Sequence, residues 1–413
     1  MMRTKNILAV LDLVMLSLMI VSLPSVEGPK NIFLVFYLVT RLLTEFLTFK
    51  QKQFYWSYWD SMFLTIVVTA LLSTIFAGMP HLEEWKGYKV LLTAILTGWL
   101  LSRARYTQEH YQNLFKLIVI SAVPPLLFGL FQYLIVYTKS DLELHSVGHV
   151  NHSAIYLVMI FGAALGWFLS TLNIKKETLQ KKFQSILLGM LSLLFFTSLI
   201  IGKSRGAFGI AIILGFSLIF LLGKSRFIKV TGAMSVLAIL FFMIVLKTNI
   251  VQKQITNSEN NNVLAFRDRV WNVSLEASRF SPMLGIGLSN WHFISLDQLK
   301  QSVEGRGETF NAEKYFFPGH SHNFYLTALV ERGILGLIVT FIFMLAWMAS
   351  LVKNFGRAKR SDTETFLWAG SFGAWVATFG IGLVNTTFHH EHAILACLFL
   401  GLYLSYTSVF KKV

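Results

Sequence analysis

The sequence predicts an all-α, polytopic membrane protein with about twelve transmembrane helices and one long outer loop. Three observations predict it. Hydrophobic residues make up 54% of the 413-residue chain and charged residues only 14%, a balance outside that of soluble domains. Apolar runs of bilayer-crossing length, about 17–25 residues, recur from end to end. They fall near 7–25, 31–48, 61–78, 87–102, 113–137, 153–173, 184–202, 206–223, 228–247, 333–352, 365–386 and 393–410. Lysine and arginine then alternate between connections, as the positive-inside rule requires of a polytopic chain.

One set of connections holds Arg3, Lys5, Lys50, Lys52, Arg103, Arg105, Lys175, Lys176, Lys181 and Lys182. The same set continues with Lys224, Arg226, Lys229, Lys353, Arg357, Lys359 and Arg360, and ends at Lys411 and Lys412. The intervening short connections hold only Lys30, Lys86, Lys89, Lys139, Lys203 and Arg205. Both termini are therefore expected in the cytoplasm, and the long loop, 248–332, outside. The net charge of +15 reads as this topology signal and not as a nucleic-acid site. The first run lacks a small-residue cleavage site and is followed at once by another, so a retained helix is expected. No repeat or linker divides residues 1–413, which read as a single membrane domain with the loop on its mouth. The one cysteine, Cys397, lies in the last apolar run; it excludes an intrachain disulfide and reads as a core residue. Arg41 and Glu45, four apart in the second span, read as a structural pair.

Within the loop, residues 263–281 place Phe266, Val270, Val273 and Ala277 at helical spacing, predicting an amphipathic helix near the membrane surface. Pro282, Gly285 and Gly287 break it, and a polar, glycine-containing segment, 297–319, follows and is expected to be mobile. From His322 to Arg332 the pattern is helical again, leading into an uncharged run from Gly333, so His322 should open a helix whose N-terminal amides favour anions.

Chemistry-bearing residues concentrate on the outer side. Lys203-Ser204-Arg205-Gly206 sets two cations where basic residues are sparse; they serve either function or snorkelling to lipid phosphates. Arg267 and Trp271 share one helix face at i and i+4, whereas Arg269 does not share Arg267's. A guanidinium held there suits a phosphate, and a salt bridge to Asp268 or Glu276 is the plain alternative. His320 and His322 flank Ser321 in a turn before Asn323, where a neutral imidazole can serve as general base. Glu331 and Arg332 read as an interfacial ion pair. His389, His390, Glu391 and His392 have metal-ligand content, but adjacent residues rarely ligate one ion, and an outer polar turn lining the mouth is the expected reading. His149 and His152 head another helix on that side and are expected to line the same mouth.

Taken together these residues resemble the O-antigen ligase and polymerase superfamily of bacterial envelope proteins. The resemblance rests on Ser204-Arg205-Gly206-Ala207, Arg267-x-x-x-Trp271, Ser281-Pro282-x-Leu284-Gly285-x-Gly287, and His322-Asn323 followed by Gly333-x-x-Gly336, all within about 180–345. It implies a fold similar to C-type membrane glycosyltransferases and an inverting, metal-independent transfer with no cofactor. The implied donor is O-antigen on undecaprenyl pyrophosphate and the implied acceptor a sugar hydroxyl of lipid A–core, at the periplasmic face of the bacterial inner membrane. Membrane lipids surround the site, and O-antigen polymerase and a chain-length regulator are possible further partners. On this resemblance Arg205, Arg267 and His322 are the catalytic residues, with Lys203, Arg269, His320, Asn323 and Trp271 binding substrate. The ligase branch fits best; a polymerase extending lipid-linked repeats, or a transporter, stand as alternatives.

Overall fold

The computed structural model describes residues 2–50, 55–172, 178–259, 262 and 264–410. Of the residues invoked above, Lys52, Lys175, Lys176, Val263, Lys411 and Lys412 lie outside these, as do the side chains of Arg3, Lys5 and Lys50. The described residues are helical throughout their ordered elements. In chain order these are α1 (Met2–Ser22), α2 (Glu27–Lys50), α3 (Tyr58–Ile75), α4 (Glu83–Ser102), α5 (Gln108–Ser121), α6 (Val123–Phe131), α7 (Val150–Thr171) and α8 (Leu179–Ile201). There follow α9 (Arg205–Leu222), α10 (Arg226–Val245), α11 (Asn249–Glu259), α12 (Arg267–Ala277), α13 (Leu296–Glu304), α14 (Phe324–Ala358), α15 (Asp362–Ile381) and α16 (His390–Val409).

Among the described residues, eight spans are long and apolar enough to cross a membrane: α3, α5 continued through α6, α7, α8, α9, α10, α14 and α16. The other four expected runs are occupied by α1, α2, α4 and α15, of 20 to 24 residues. Pro124 and Pro125 sit in the first turn of α6, where a missing N–H costs nothing, so the fifth run bends without being lost. At one end of the bundle, Ser57, Thr107, Thr178, Ser225 and Ser361 each accept a backbone N–H at a helix start. At the other end the connections touch one another: His145 meets the Ser25 carbonyl at 3.0 Å, Gly78 N–H donates to Gly285 O at 3.1 Å, and Lys203 Nζ to Ser140 O at 3.2 Å.

The centre is built of α7, α15 and α16, whose sides are nearly all buried, while α10 is almost wholly exposed. Water cannot drive helices together in lipid, so close packing of small residues does. A Cβ on Gly162 would lie 3.0 Å from the Gly373 Cα, and one on Gly166 only 2.1 Å from the Ala369 Cβ. Cys397 is fully buried, against Gly98.

Arg41 does pair with Glu45, at 2.7 Å, but the pair belongs to a larger network. Arg103 holds both Glu45, at 2.8 Å, and Asp60, at 2.7 Å. Trp99 Nε1 donates to Asp60 at 2.6 Å and Tyr106 OH to Asp12 at 2.5 Å. Each charge placed at bilayer depth costs about 2.5–3.5 kcal/mol alone; mutual neutralisation offsets that cost.

The long loop carries its own small core. Val270, Val273, Ala277, Ile286, Trp291, Ile294, Leu299 and Val330 are buried together. The amphipathic helix is therefore real but shorter than expected, and its apolar side meets this core and not the membrane surface. Phe266 stays outside it, 40% exposed, in a left-handed conformation before the helix. The segment expected to be mobile instead forms α13, opened by a Ser295–Gln298 capping box and followed by stacked Phe310 and Tyr315. Arg306 grips Glu276 with two bonds, of 2.5 and 2.9 Å.

What joins loop to bundle is a break in α14. Gly333 adopts φ 65° and ψ −170°, which interrupts the helical ladder. The freed carbonyls of Val330 and Glu331 accept from Ile286 N–H at 2.9 Å and Gly287 N–H at 3.1 Å. The freed amides of Ile334 and Leu335 donate to Pro282 O at 2.8 Å and Met283 O at 3.4 Å. Ser73 Oγ donates to Glu331 O at 2.7 Å. These four backbone groups at the break find partners, as burial demands. Side chains are excluded on both sides: a Cβ on Gly333 would lie 2.3 Å from Met283 C, and one on Gly285 2.4 Å from Arg332 N. Glu331 and Arg332 form no ion pair; Arg332 reaches along the helix to Thr340 Oγ1 at 3.1 Å.

Candidate functional site

α14 starts at the loop-bearing end of the bundle with Asn323 as its N-cap, and His322 stands immediately before it at φ 49°. Asn323 Oδ1 accepts from the amides of Tyr325, at 2.9 Å, and Leu326, at 3.0 Å, while its Nδ2 donates to Leu383 O at 3.0 Å. The amide expected to bind substrate is thus spent on capping. It fixes the turn that presents His322.

The His322 ring lies 4.1 Å from that of His320, centroid to centroid. Burial first, then the charges of His320 and Arg267, lower the His322 imidazole to about pH 4, with the Asn385 side chain pulling the other way. Its Nδ1 is buried with no hydrogen-bond partner. His320 is lowered too, by burial and then His149. Both rings are neutral at pH 7, the form able to accept a proton.

Arg267 opens α12. Neither Asp268 nor Glu276 pairs with it, since Glu276 is taken by Arg306. Burial and the charge of Arg205 lower its pKa from the ordinary guanidinium value. Its Nε is a buried donor with no partner, and so is Nε1 of Trp271. Two unspent donors one turn apart mark a place for an acceptor-rich group. Arg269 is not part of this; it is exposed and lies over the Phe266 ring, 5.1 Å from its centroid.

Arg205 opens α9. Its guanidinium donates to Gln254 and, with the Asn257 amide oriented to satisfy both groups, to Asn257 at 3.0 and 3.2 Å. Both amides come from α11. The preceding Ser204 Oγ donates to Asn151 Oδ1 at 3.1 Å, tying α9 to the head of α7. Lys203 is engaged elsewhere, with Ser140 O and with Asp141 at 3.4 Å.

The two distant histidine clusters meet. The His152 ring lies 4.8 Å from that of His389 and 5.2 Å from that of His392. His389 Nε2 is 3.1 Å from Thr386 O, and both nitrogens of the fully buried His392 lack partners. Glu391 turns away into a buried ion pair with Lys30. Among the described residues, no group of three ligand-type side chains is placed to hold a metal ion.

The charge of Arg205 is felt at Arg267 and that of Arg267 at His322, so three residues far apart in sequence, at the starts of α9, α12 and α14, form one electrostatically linked group. Gln254, Asn257 and Asn385, which complete it, were not singled out from sequence; an isolated amide carries no spacing signal. Two cations and a neutral base within electrostatic reach of one another are the groups that departure of an anionic leaving group and attack by a hydroxyl require. No curated protein matches the chain. Residues 190–341 match the family model described as O-Antigen ligase.

Proposed function

Taking the O-antigen ligase domain at residues 190–341 as the premise, we propose that the protein moves O-antigen from undecaprenyl pyrophosphate onto a sugar hydroxyl of lipid A–core. The reaction lies at the periplasmic face of the bacterial inner membrane, with both termini in the cytoplasm. What supports this reading is the pair of unspent buried donors on Arg267 and Trp271, together with the electrostatic link from Arg205 through Arg267 to His322.

The acceptor oxygen attacks the anomeric carbon from the face opposite the diphosphate. The carbon–oxygen bond to that diphosphate breaks, its electron pair leaves with the leaving group, and the configuration inverts. The acceptor's proton passes to Nδ1 of His322. Arg267 and Arg205 stabilise the charge that develops on the departing diphosphate, and such preorganised charge is usually the largest catalytic contribution. Trp271 Nε1 adds a donor, and His320 stands beside the base.

An imidazole titrating at about pH 4 is a weak base, and donor binding corrects this. A diphosphate seated on Arg267 offsets one of the positive charges that hold the imidazole down, so its basicity rises when the donor is in place. Base strength is thereby coupled to occupancy.

The test is transfer by purified protein from a lipid-linked donor to purified lipid A–core. His322→Ala should stay in the membrane and lose transfer about a hundredfold or more. Lengthening of lipid-linked repeats without modification of lipid A–core would replace this reading with polymerase activity. Undiminished transfer by His322→Ala would remove His322 from the chemistry.

A further inference from the structure

At the end of the bundle opposite His322, a cavity of about 1310 Å³ opens between α1, α2, α3, α4, α14 and α16. The distance along α14 from Asn323 to Asn354 is on the order of 45 Å, so this space is remote from the outer mouth. Its lining includes Asp12, Arg41, Glu45 and Arg103, the members of the charge network that face inward. Asp12 Oδ1 and Arg41 Nε stand 3.7 Å apart, and neither has a hydrogen-bond partner. Both residues are more than nine-tenths buried. Ala346 and Ala349 keep the facing wall of α14 low.

The rim differs from the interior. Arg105 and Lys353 are exposed, line the opening, and form no ion pair among the described residues. Inside, the two guanidinium groups of Arg41 and Arg103 face the carboxylates of Asp12 and Glu45; the rim adds two cations and no acid. The lining as a whole thus carries four cations against two acids. A cation pair at the edge of a bilayer-spanning bundle, over a polar chamber, matches the layout of a lipid phosphate with its polar headgroup pointing inward.

We propose that this cavity binds the headgroup of a phosphate-bearing lipid. Arg105 and Lys353 hold the phosphate, and the polar chamber behind them, lined by Glu45, Arg103 and Asn354, takes the rest of the head. With the topology proposed above, the lipid comes from the cytoplasmic leaflet; the binding chemistry itself does not depend on that orientation.

The experiment is native mass spectrometry of the full chain in non-ionic detergent, titrated with dioleoyl-phosphatidylglycerol and, as the phosphate-free control, dioleoylglycerol. The phospholipid should be retained and the control lost. Arg105→Ala/Lys353→Ala, at exposed positions that leave the buried network intact, should weaken retention by about tenfold or more. Ala349→Trp, which fills the cavity and leaves the rim charges in place, should also lose the lipid. Retention unchanged in the double variant overturns the proposal, and so does loss in the double variant with none in Ala349→Trp, which would assign the lipid to the rim surface. Displacement by millimolar inorganic phosphate alone would assign the site to free phosphate and overturn the lipid. No residue changed here belongs to the outer mouth, so the outcome stands apart from the glycan-transfer assay.

Discussion

The two ends of the bundle use arginine in opposite ways. At the basic end, Arg41 and Arg103 sit among Asp12, Glu45 and Asp60, each guanidinium within 4 Å of at least one carboxylate. At the His322 end, Arg267 has no carboxylate partner among the described residues and a buried Nε with nothing to bond, while Arg205 is held by the side-chain amides of Gln254 and Asn257. An internally neutralised arginine holds helices together. One left with donors to spare in a buried setting is arranged for a negative charge that arrives later.

The sharpest way to break this contrast is to remove one arginine from each end. Arg267→Ala should lower transfer by about a hundredfold to ten-thousandfold, the loss of two charge-assisted bonds of about 1.5–3 kcal/mol each. Its thermal stability in detergent should hold, because no carboxylate is left exposed by the change. Arg103→Ala should do the reverse. It leaves the Asp60 carboxylate without its cation and Glu45 with Arg41 alone, and costs about 3–5 kcal/mol of stability, read as a drop in unfolding temperature, with transfer per folded molecule unchanged. Equal effects on stability in the two variants would erase the distinction.

A smaller effect is expected from Gly333→Ala. The backbone there is left-handed, and the new methyl meets Met283 at 2.3 Å, so about 1–3 kcal/mol of strain enters at the junction of loop and bundle. Limited proteolysis should cut the loop sooner than in the parent chain. The smallest signal is in the pH profile. If His322 is the base proposed above, transfer needs it neutral, and the rate falls as pH drops through its pKa. The acid limb of kcat/KM, which reports the free enzyme, should lie near the value of about 4, and that of kcat should lie higher because bound diphosphate offsets Arg267. Coincident limbs would sever the coupling between donor and base.

Much of this was legible in the chain. Every apolar run coincides with a helix, since the bilayer forces the backbone to satisfy itself within each segment. Arg267 and Trp271 fall on one face as their spacing requires, and His322 stands beside the start of α14. Three features were hidden. The break at Gly333 depends on hydrogen bonds to residues about fifty positions away, and a lone glycine in an apolar run gives no sign of them. Asn323 looks the same in sequence whether it caps a helix or binds a ligand. α13 lies in a polar stretch where its few apolar residues, Leu299 and Val303, pack only because the loop folds back on itself. Long-range order is what composition and periodicity cannot carry.

The interlock at Gly333 also constrains traffic. Lifting the 282–287 segment like a hatch would strip the carbonyls of Val330 and Glu331 and the amides of Ile334 and Leu335 of their partners at once, where water is scarce. The 282–287 segment is therefore anchored to the break in α14 and does not lift by itself; the lipid-linked donor proposed above would have to reach its site with that segment in place.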